Sequence, residues 1–334
     1  MSEVPKTLFF ESTVYSEHRG LSFLEELCKR FTYHSAEEWK AKIESGCVTL
    51  NGNQAKAHDV VQTKDKVVYR VENYTEPPVP TDFETLFEDD EFLIVAKPAG
   101  IPVHHTGHIF YNTFTGVVRR AFDNDELSPM HRLDRDTGGI MLFAKTRDTA
   151  ARFERNLDCI LLRKKYLAVV RGNFLTEEFL CEQPLREDPS SEIRLKMYPF
   201  ADGKPCKTKF RKLGHFETPV ANVPVPFSVV EAELLSGRKH QIRAHLSSLG
   251  FPVVGDKLYS FDGFYYKKLI KEGLSNADFV ALGARTQMLY AYKAFIRLPY
   301  WSEGRWFSSL KFTPEMNDVI ALLPQLQFSC EASD

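Results

Sequence analysis

Three prolines within nine residues, in YTEPPVPTD at residues 74–82, constrain this chain more than any other stretch. Pro77, Pro78 and Pro80 carry no amide hydrogen, so the stretch can enter neither a helix interior nor a central strand. It reads as an extended, semi-rigid spacer. The 334-residue chain is thereby expected to divide into a tail (1–14), a small domain (15–71), a linker (72–82), a large domain (83–325) and a second tail (326–334).

The small domain has a legible pattern. In LSFLEELCKRF, Leu24, Leu27, Cys28 and Phe31 recur at helical spacing. Ser35 with Glu38 three residues on forms a capping box, opening a second helix that closes at Gly46 and turns Trp39 and Ile43 inward. Val48, Thr49 and Leu50 then lead into the turn Asn51-Gly52, and KVVYRV is a later strand. Two helices followed by strands, over residues 15–71, resemble the RNA-binding domain first described in ribosomal protein S-four.

Beyond the prolines, FLIVAKP, IMLFAK and YLAVVRG read as strands, and TAARFERNL and HQIRAHLSSLG as helices. LGHFETPVANVPVPF, from Leu213, reads as a loop inserted between strands. A net charge of −2 does not announce a nucleic-acid binder. Three basic clusters nonetheless stand out: Lys204 with Lys207, Lys209, Arg211 and Lys212; Arg163 with Lys164 and Lys165; and Arg238, Lys239, His240, Arg243 and His245. Each alone reads equally as a solvated face. Six scattered cysteines without a C-x-x-C pair point to reduced thiols. With no bilayer-length apolar run and no secretory signal at the start, a cytoplasmic protein is expected.

The densest motif is MHRLDRDTGGIMLFAK, residues 130–145. Asp136-Thr137-Gly138 spells the triplet of aspartic proteases, but those enzymes need two carboxylates sharing a proton, and the triplet occurs once. His131-Arg132-Leu133-Asp134 transposes the kinase catalytic loop, yet the glycine loop and metal-holding residues of a kinase are missing. What remains is a turn ended by Gly138-Gly139 that feeds an apolar strand. On its own the turn is either structural, with an Arg132–Asp134 ion pair, or part of a site.

Read in order, KPAGIPVHHTG from Lys97, HRLDRDTGGIMLFAK, LRKKYLAVVRG from Leu162 and SGRKHQIRAHLSSLGFPVVGDKLYS from Ser236 resemble the RluA-like family of RNA pseudouridine synthases. The resemblance covers residues 83–296. It implies an α+β protein, in which the small helix-helix-strand domain precedes a catalytic domain on a mixed, mainly antiparallel sheet with flanking helices. It also implies an enzyme that isomerises uridines of structured RNA, ribosomal or transfer, to pseudouridine without a cofactor. Asp134 matches the catalytic aspartate, Arg243 the arginine paired with it, and Tyr166 the tyrosine that stacks on the uracil and serves in proton abstraction. Arg132 matches the arginine that holds the opened RNA. The expected RNA contacts are Arg132, His131, Arg238, His240, Lys207, Lys209 and Arg211. RNA is the expected partner of a monomer, with no obligate protein partner, no membrane and no metal. An RNA-binding protein that has lost turnover is the alternative.

Three departures from the family pattern are visible. Thr137-Gly138-Gly139 stands where Thr-Ser-Gly is usual, and Leu289-Tyr290-Ala291 where Leu-His-Ala is usual. Val103-His104-His105-Thr106-Gly107, then His108, replaces Val-His-Pro-x-Gly. The three histidines lack a carboxylate or cysteine at ligand spacing, so no metal site is expected.

Overall fold

The computed structural model describes residues 7–106, 109–174, 176–220 and 223–323. Gly107, His108, Cys330 and the expected second tail lie outside the described residues. The contacts group into two compact units: the chain up to Pro78 together with His105–Asn112, and Val79–His104 together with the chain from Thr113 onward.

In the first unit, β1 (Thr7–Thr13) precedes α1 (Phe23–Arg30) and α2 (Ala36–Glu44), followed by β2 (Val48–Leu50), β3 (Asn53–Gln54) and β4 (Lys66–Glu72). Both helices open with capping boxes, Ser22 with Glu25 and Ser35 with Glu38. Trp39 and Ile43 are buried as expected, joined by Phe23, Leu27 and Val48 in one apolar core. The strands run in the order β1-β4-β2-β3. Residues 7–13, expected as tail, instead pair along their whole length with β4. Their partner lies more than fifty residues away, so no local pattern announces the strand.

The proline stretch is tied down rather than an empty spacer. Glu76 accepts the backbone N–H groups of Phe110 (2.5 Å), Tyr111 (2.8 Å) and Asn112 (2.6 Å), and Asn112 Nδ2 donates to the Pro77 carbonyl at 3.0 Å. Phe110 packs on Phe10 with ring centroids 4.4 Å apart. Three N–H donors on one carboxylate suit an anion and hold the segment.

The second unit begins with β5 (Glu84–Glu88), β6 (Phe92–Lys97), α3 (Phe114–Ala121), β7 (Ser128–Pro129) and β8 (Gly138–Ala144). Next come α4 (Arg147–Phe153), α5 (Leu157–Ile160), β9 (Leu161–Arg171), β10 (Glu178–Cys181), β11 (Leu185–Glu187) and β12 (Met197–Pro199). The chain continues through β13 (Thr208–Val220), β14 (Val223–Leu234), α6 (Gln241–Ser248), α7 (Phe264–Lys271), α8 (Asn276–Leu282), β15 (Leu289–Ile296), β16 (Arg305–Ser308) and α9 (Pro314–Ala321). A ten-stranded sheet carries the order β10-β13-β14-β9-β15-β8-β6-β5, with β16 on β15 and β7 on β8. Its described ladders are antiparallel except β8 with β15. This is the mixed, mainly antiparallel sheet with flanking helices that the motifs implied.

LGHFETPVANVPVPF is not a loop: it forms the outer arms of the β13–β14 hairpin, paired as far as Val220 with Val223. β9 covers β14 only from Phe227 to Leu234, so Pro224 and Pro226 lie where one edge needs no donor. That is why these two prolines fit in β14.

Two departures from the family pattern meet in this sheet. Gly138 pairs with Tyr290 across the parallel ladder. A Cβ at Gly138 would stand 2.7 Å from Tyr290 Cε2. The ring cannot easily yield, because Tyr290 Oη is held 3.2 Å from Ser309 Oγ. Tyrosine in place of histidine thus explains glycine in place of serine. Gly138→Ser is expected to lower stability by about 1–3 kcal/mol through overpacking. Tyr290→His in the same chain should restore most of it, a coupling that denaturant midpoints of the two single variants and the double variant would measure. Additive midpoints would show that the two positions are independent.

Candidate active site

Asp134 lies on the loop between β7 and β8, and the loop is pinned from beneath. Lys97, at the end of β6, is fully buried and donates to three backbone carbonyls: Pro98 (2.9 Å), Ile101 (2.8 Å) and Arg135 (3.1 Å). Burial draws its pKa down to about 7, against the pull of Asp136 and Asp134. Gly100 N–H adds a second donor to the Arg135 carbonyl at 2.9 Å, and the Thr137 N–H reaches the Asp134 carbonyl at 3.2 Å. The lysine of the KPAG stretch therefore shapes the turn that presents Asp134.

Arg243 comes from the first turn of α6 and reaches across the chain. Its Nη1 stands 2.7 Å from Asp134 Oδ2. Its other face is clamped by Asp256, with Nε to Oδ2 at 2.6 Å and Nη2 to Oδ1 at 2.8 Å. Asp256 is completely buried and also accepts the backbone N–H groups of Leu258 and Tyr259 at 2.9 and 3.0 Å. The Arg243 guanidinium lies 5.0 Å above the Tyr259 ring. One cation thus serves two carboxylates, one buried and saturated, the other open to a cleft. Burial alone would raise the Asp134 carboxyl; Arg243 outweighs it, with help from His240 and then Arg132, and holds the group below its ordinary range.

Tyr166 projects from β9, where its ladder neighbours are Ala232 on β14 and Ala291 on β15. Small residues on both sides leave room for the ring. Burial, reinforced by the charge of Asp134, pushes its pKa upward, so it stays a neutral phenol. Asp134, Tyr166 and Arg243 line one cleft of about 870 Å³ with His131, Arg132, Lys164, Arg238 and His240.

The remaining expected contacts fare differently. Arg132 and Arg238 are exposed on the cleft. His131 lines it as a neutral ring: its Nε2 accepts the Leu142 N–H at 3.2 Å, and burial, then the charge of Lys164, draws its pKa to about 3. Lys209 and Arg211 lie on β13 and Lys207 just before it, and all three are absent from the cleft lining. Each faces an acid: Glu182 at 2.5 Å, Glu178 at 2.9 Å and Glu231 at 3.1 Å. Pairing cancels most of the field that the cluster suggested in sequence. Lys97, Asp256 and Tyr259 were not singled out from sequence, although KPAG and GDKLYS contain them; nothing local says which acid a distant arginine will choose.

Residues 91–248 match the family described as RNA pseudouridylate synthase. Over these residues the chain is similar to that family. Among its relatives, the yeast (Saccharomyces cerevisiae) protein named mitochondrial tRNA pseudouridine(32) synthase is 31% identical over 78% of this chain and 55% of its own length. Human pseudouridylate synthase RPUSD2 is also 31% identical, over 75% of this chain and 45% of its own. The chain thus spans about half the length of these two relatives. The solved structure of human RNA pseudouridylate synthase domain containing 1 shares the fold, with a TM-score of 0.54 and 23% identity over 78% of this chain and all of that one. The match over residues 91–248 agrees with the RluA-like resemblance drawn from the motifs. Among the described residues, no helix is long and apolar enough to cross a membrane.

Proposed function

We propose that this chain converts uridines in structured RNA to pseudouridine, with Asp134 as its catalytic carboxylate. The observation that carries this reading is an aspartate lining a cleft, bonded to a clamped arginine and sharing that cleft with Tyr166. A uridine must leave its stack to reach such a group, at a cost of a few kcal/mol. Arg132, exposed on the same cleft, is the residue assigned to hold the opened strand. The carboxylate then either attacks the ribose or assists departure of the base, as glycosidase carboxylates do at a developing positive sugar. The N1–C1′ bond breaks, the C5–C1′ bond forms, C5 gives up its proton and N1 gains one, so the isomerisation balances without an outside group. Tyr166 offers a face for the uracil; as a phenol it assists proton removal only after passing its own proton on.

The first unit is assigned a supporting RNA contact on its resemblance to the S-four domain. Transfer RNA is one substrate class, as the name of the yeast relative suggests, and ribosomal RNA another. The five cysteines among the described residues are free thiols, in keeping with a reducing compartment such as the cytoplasm. The test is pseudouridine mapping in cells with and without this protein, alongside turnover on purified RNA. RNA binding without any pseudouridine would favour a binding protein that has lost turnover.

Electrostatics makes a separate prediction. Replacing Arg132, Lys164 and Arg238 by alanine should weaken RNA binding and flatten its log–log salt slope by roughly 0.7–0.9 per lost phosphate contact. Replacing Lys207, Lys209 and Arg211 should leave the slope nearly unchanged, because their acids already neutralise them. Titrations at several salt concentrations decide between the two faces, and the reverse order would place the RNA along β13.

A further inference from the structure

Arg243 engages Oδ2 of Asp134, and the group facing the other oxygen is His240, whose Nε2 stands 3.7 Å from Oδ1. Three features set this histidine apart from an exposed RNA contact. Its backbone adopts φ 56° and ψ 18°, a left-handed conformation disfavoured for a residue with a Cβ, immediately before α6. Its side chain is only 10% exposed. Its second nitrogen is also engaged: Nδ1 lies 3.3 Å from Tyr259 Oη.

The direction of that last bond follows from its neighbour. Tyr259 Oη already accepts the Met197 N–H at 2.8 Å, and the hydroxyl is buried. A buried hydroxyl hydrogen needs an acceptor, and His240 Nδ1 is placed to be it. A neutral imidazole that accepts at Nδ1 carries its hydrogen on Nε2, the atom that faces Asp134.

We propose that the Tyr259 hydroxyl holds His240 as its Nε2–H tautomer, making His240 a positioning residue that donates to the free oxygen of Asp134. The inference rests on the pseudouridine synthase reading. A gap of 3.7 Å exceeds a formed hydrogen bond, and a small rotation of the carboxylate closes it. A neutral donor orients Asp134 without adding a further full positive charge to those of Arg243 and Arg132, which would blunt the carboxylate as nucleophile or base. The charged groups around the ring are Asp134, Arg243, Asp256 and Lys239, with Glu187 near Lys239. Burial, then the Arg243 charge, draws the His240 pKa to about 4, so the ring is neutral at physiological pH.

Nitrogen-resolved NMR of the full chain with labelled histidine tests this directly. At pH 7, His240 is expected as the neutral Nε2–H tautomer, and Tyr259→Phe should convert it to a mixture. An Nδ1–H tautomer or an imidazolium in the unaltered protein overturns the proposal, whether or not the protein is active. On saturating RNA, Tyr259→Phe and His240→Leu should lower kcat about tenfold with KM little changed, the scale of one lost hydrogen bond to a charged group. His240→Gln, which keeps a donor of similar reach, should recover much of that loss. A raised KM with intact kcat would make His240 an RNA contact instead. If the unaltered protein forms no pseudouridine, the functional reading fails, while the NMR still decides the tautomer.

Discussion

Asp134→Asn should abolish pseudouridine formation, lowering single-turnover rates by at least about 10³-fold, between the loss of an oxyanion donor and that of a nucleophile. The amide keeps the size and remains near Arg243, so folding and RNA affinity should change little. Asp136→Asn, two residues on, should stay within about tenfold. Asp136 bonds Lys257 Nζ at 2.8 Å and lies 3.9 Å from Arg135. A partly exposed pair of this kind contributes little, about 0–1 kcal/mol. Tritium release from uridine labelled at carbon 5 provides the measurement, with binding followed separately. Because Asp134 is held below the ordinary carboxylate range, its charge persists as pH falls, and the acid limb of the rate profile should lie below that of an ordinary aspartate. Substantial tritium release by Asp134→Asn would remove the carboxylate from the mechanism. An indispensable Asp136 would revive the protease reading of its triplet.

Asp256→Ala should be the most destabilising single change near the site. It deletes both bonds that clamp Arg243, strands a buried guanidinium with Asp134 alone, and frees the N–H groups of Leu258 and Tyr259. Breaking a buried ion pair by removing one partner costs about 3–5 kcal/mol. At about 2–4 °C per kcal/mol for a domain of this size, the melting temperature should fall by roughly 10 °C. Turnover should collapse as well, because Arg243 loses the geometry that serves Asp134. Calorimetry combined with the same tritium assay tests both. A loss below about 1 kcal/mol would mean that Arg243 is held by something other than Asp256.

Much of the architecture is legible in order along the chain. The Ser35–Glu38 capping box marks the start of α2 because capping is a bond between residues three apart. IMLFAK and YLAVVRG declare β8 and β9 because strands buried on both faces are apolar throughout. The tail that became β1 and the apparent loop that became the β13–β14 hairpin were missed for one reason. Whether an extended segment is a strand depends on an edge supplied from elsewhere: β4 for Thr7–Thr13, and each other for the proline-bearing arms.

The site divides along the same line. By itself the sequence carried the family resemblance, through four long motifs in order, and with it Asp134, Tyr166 and Arg243 as the residues to examine. Only the tertiary structure decided that Asp256 clamps Arg243, that Lys97 pins the turn carrying Asp134, that Lys207, Lys209 and Arg211 are paired with acids, and that burial draws the pKa of His131 and of His240 down. Residue type sets what a side chain can do, and motif spacing follows the chain. Charge state, pairing and hydrogen-bond direction depend on distance and burial in space, which bring Asp134 beside an arginine 109 positions away.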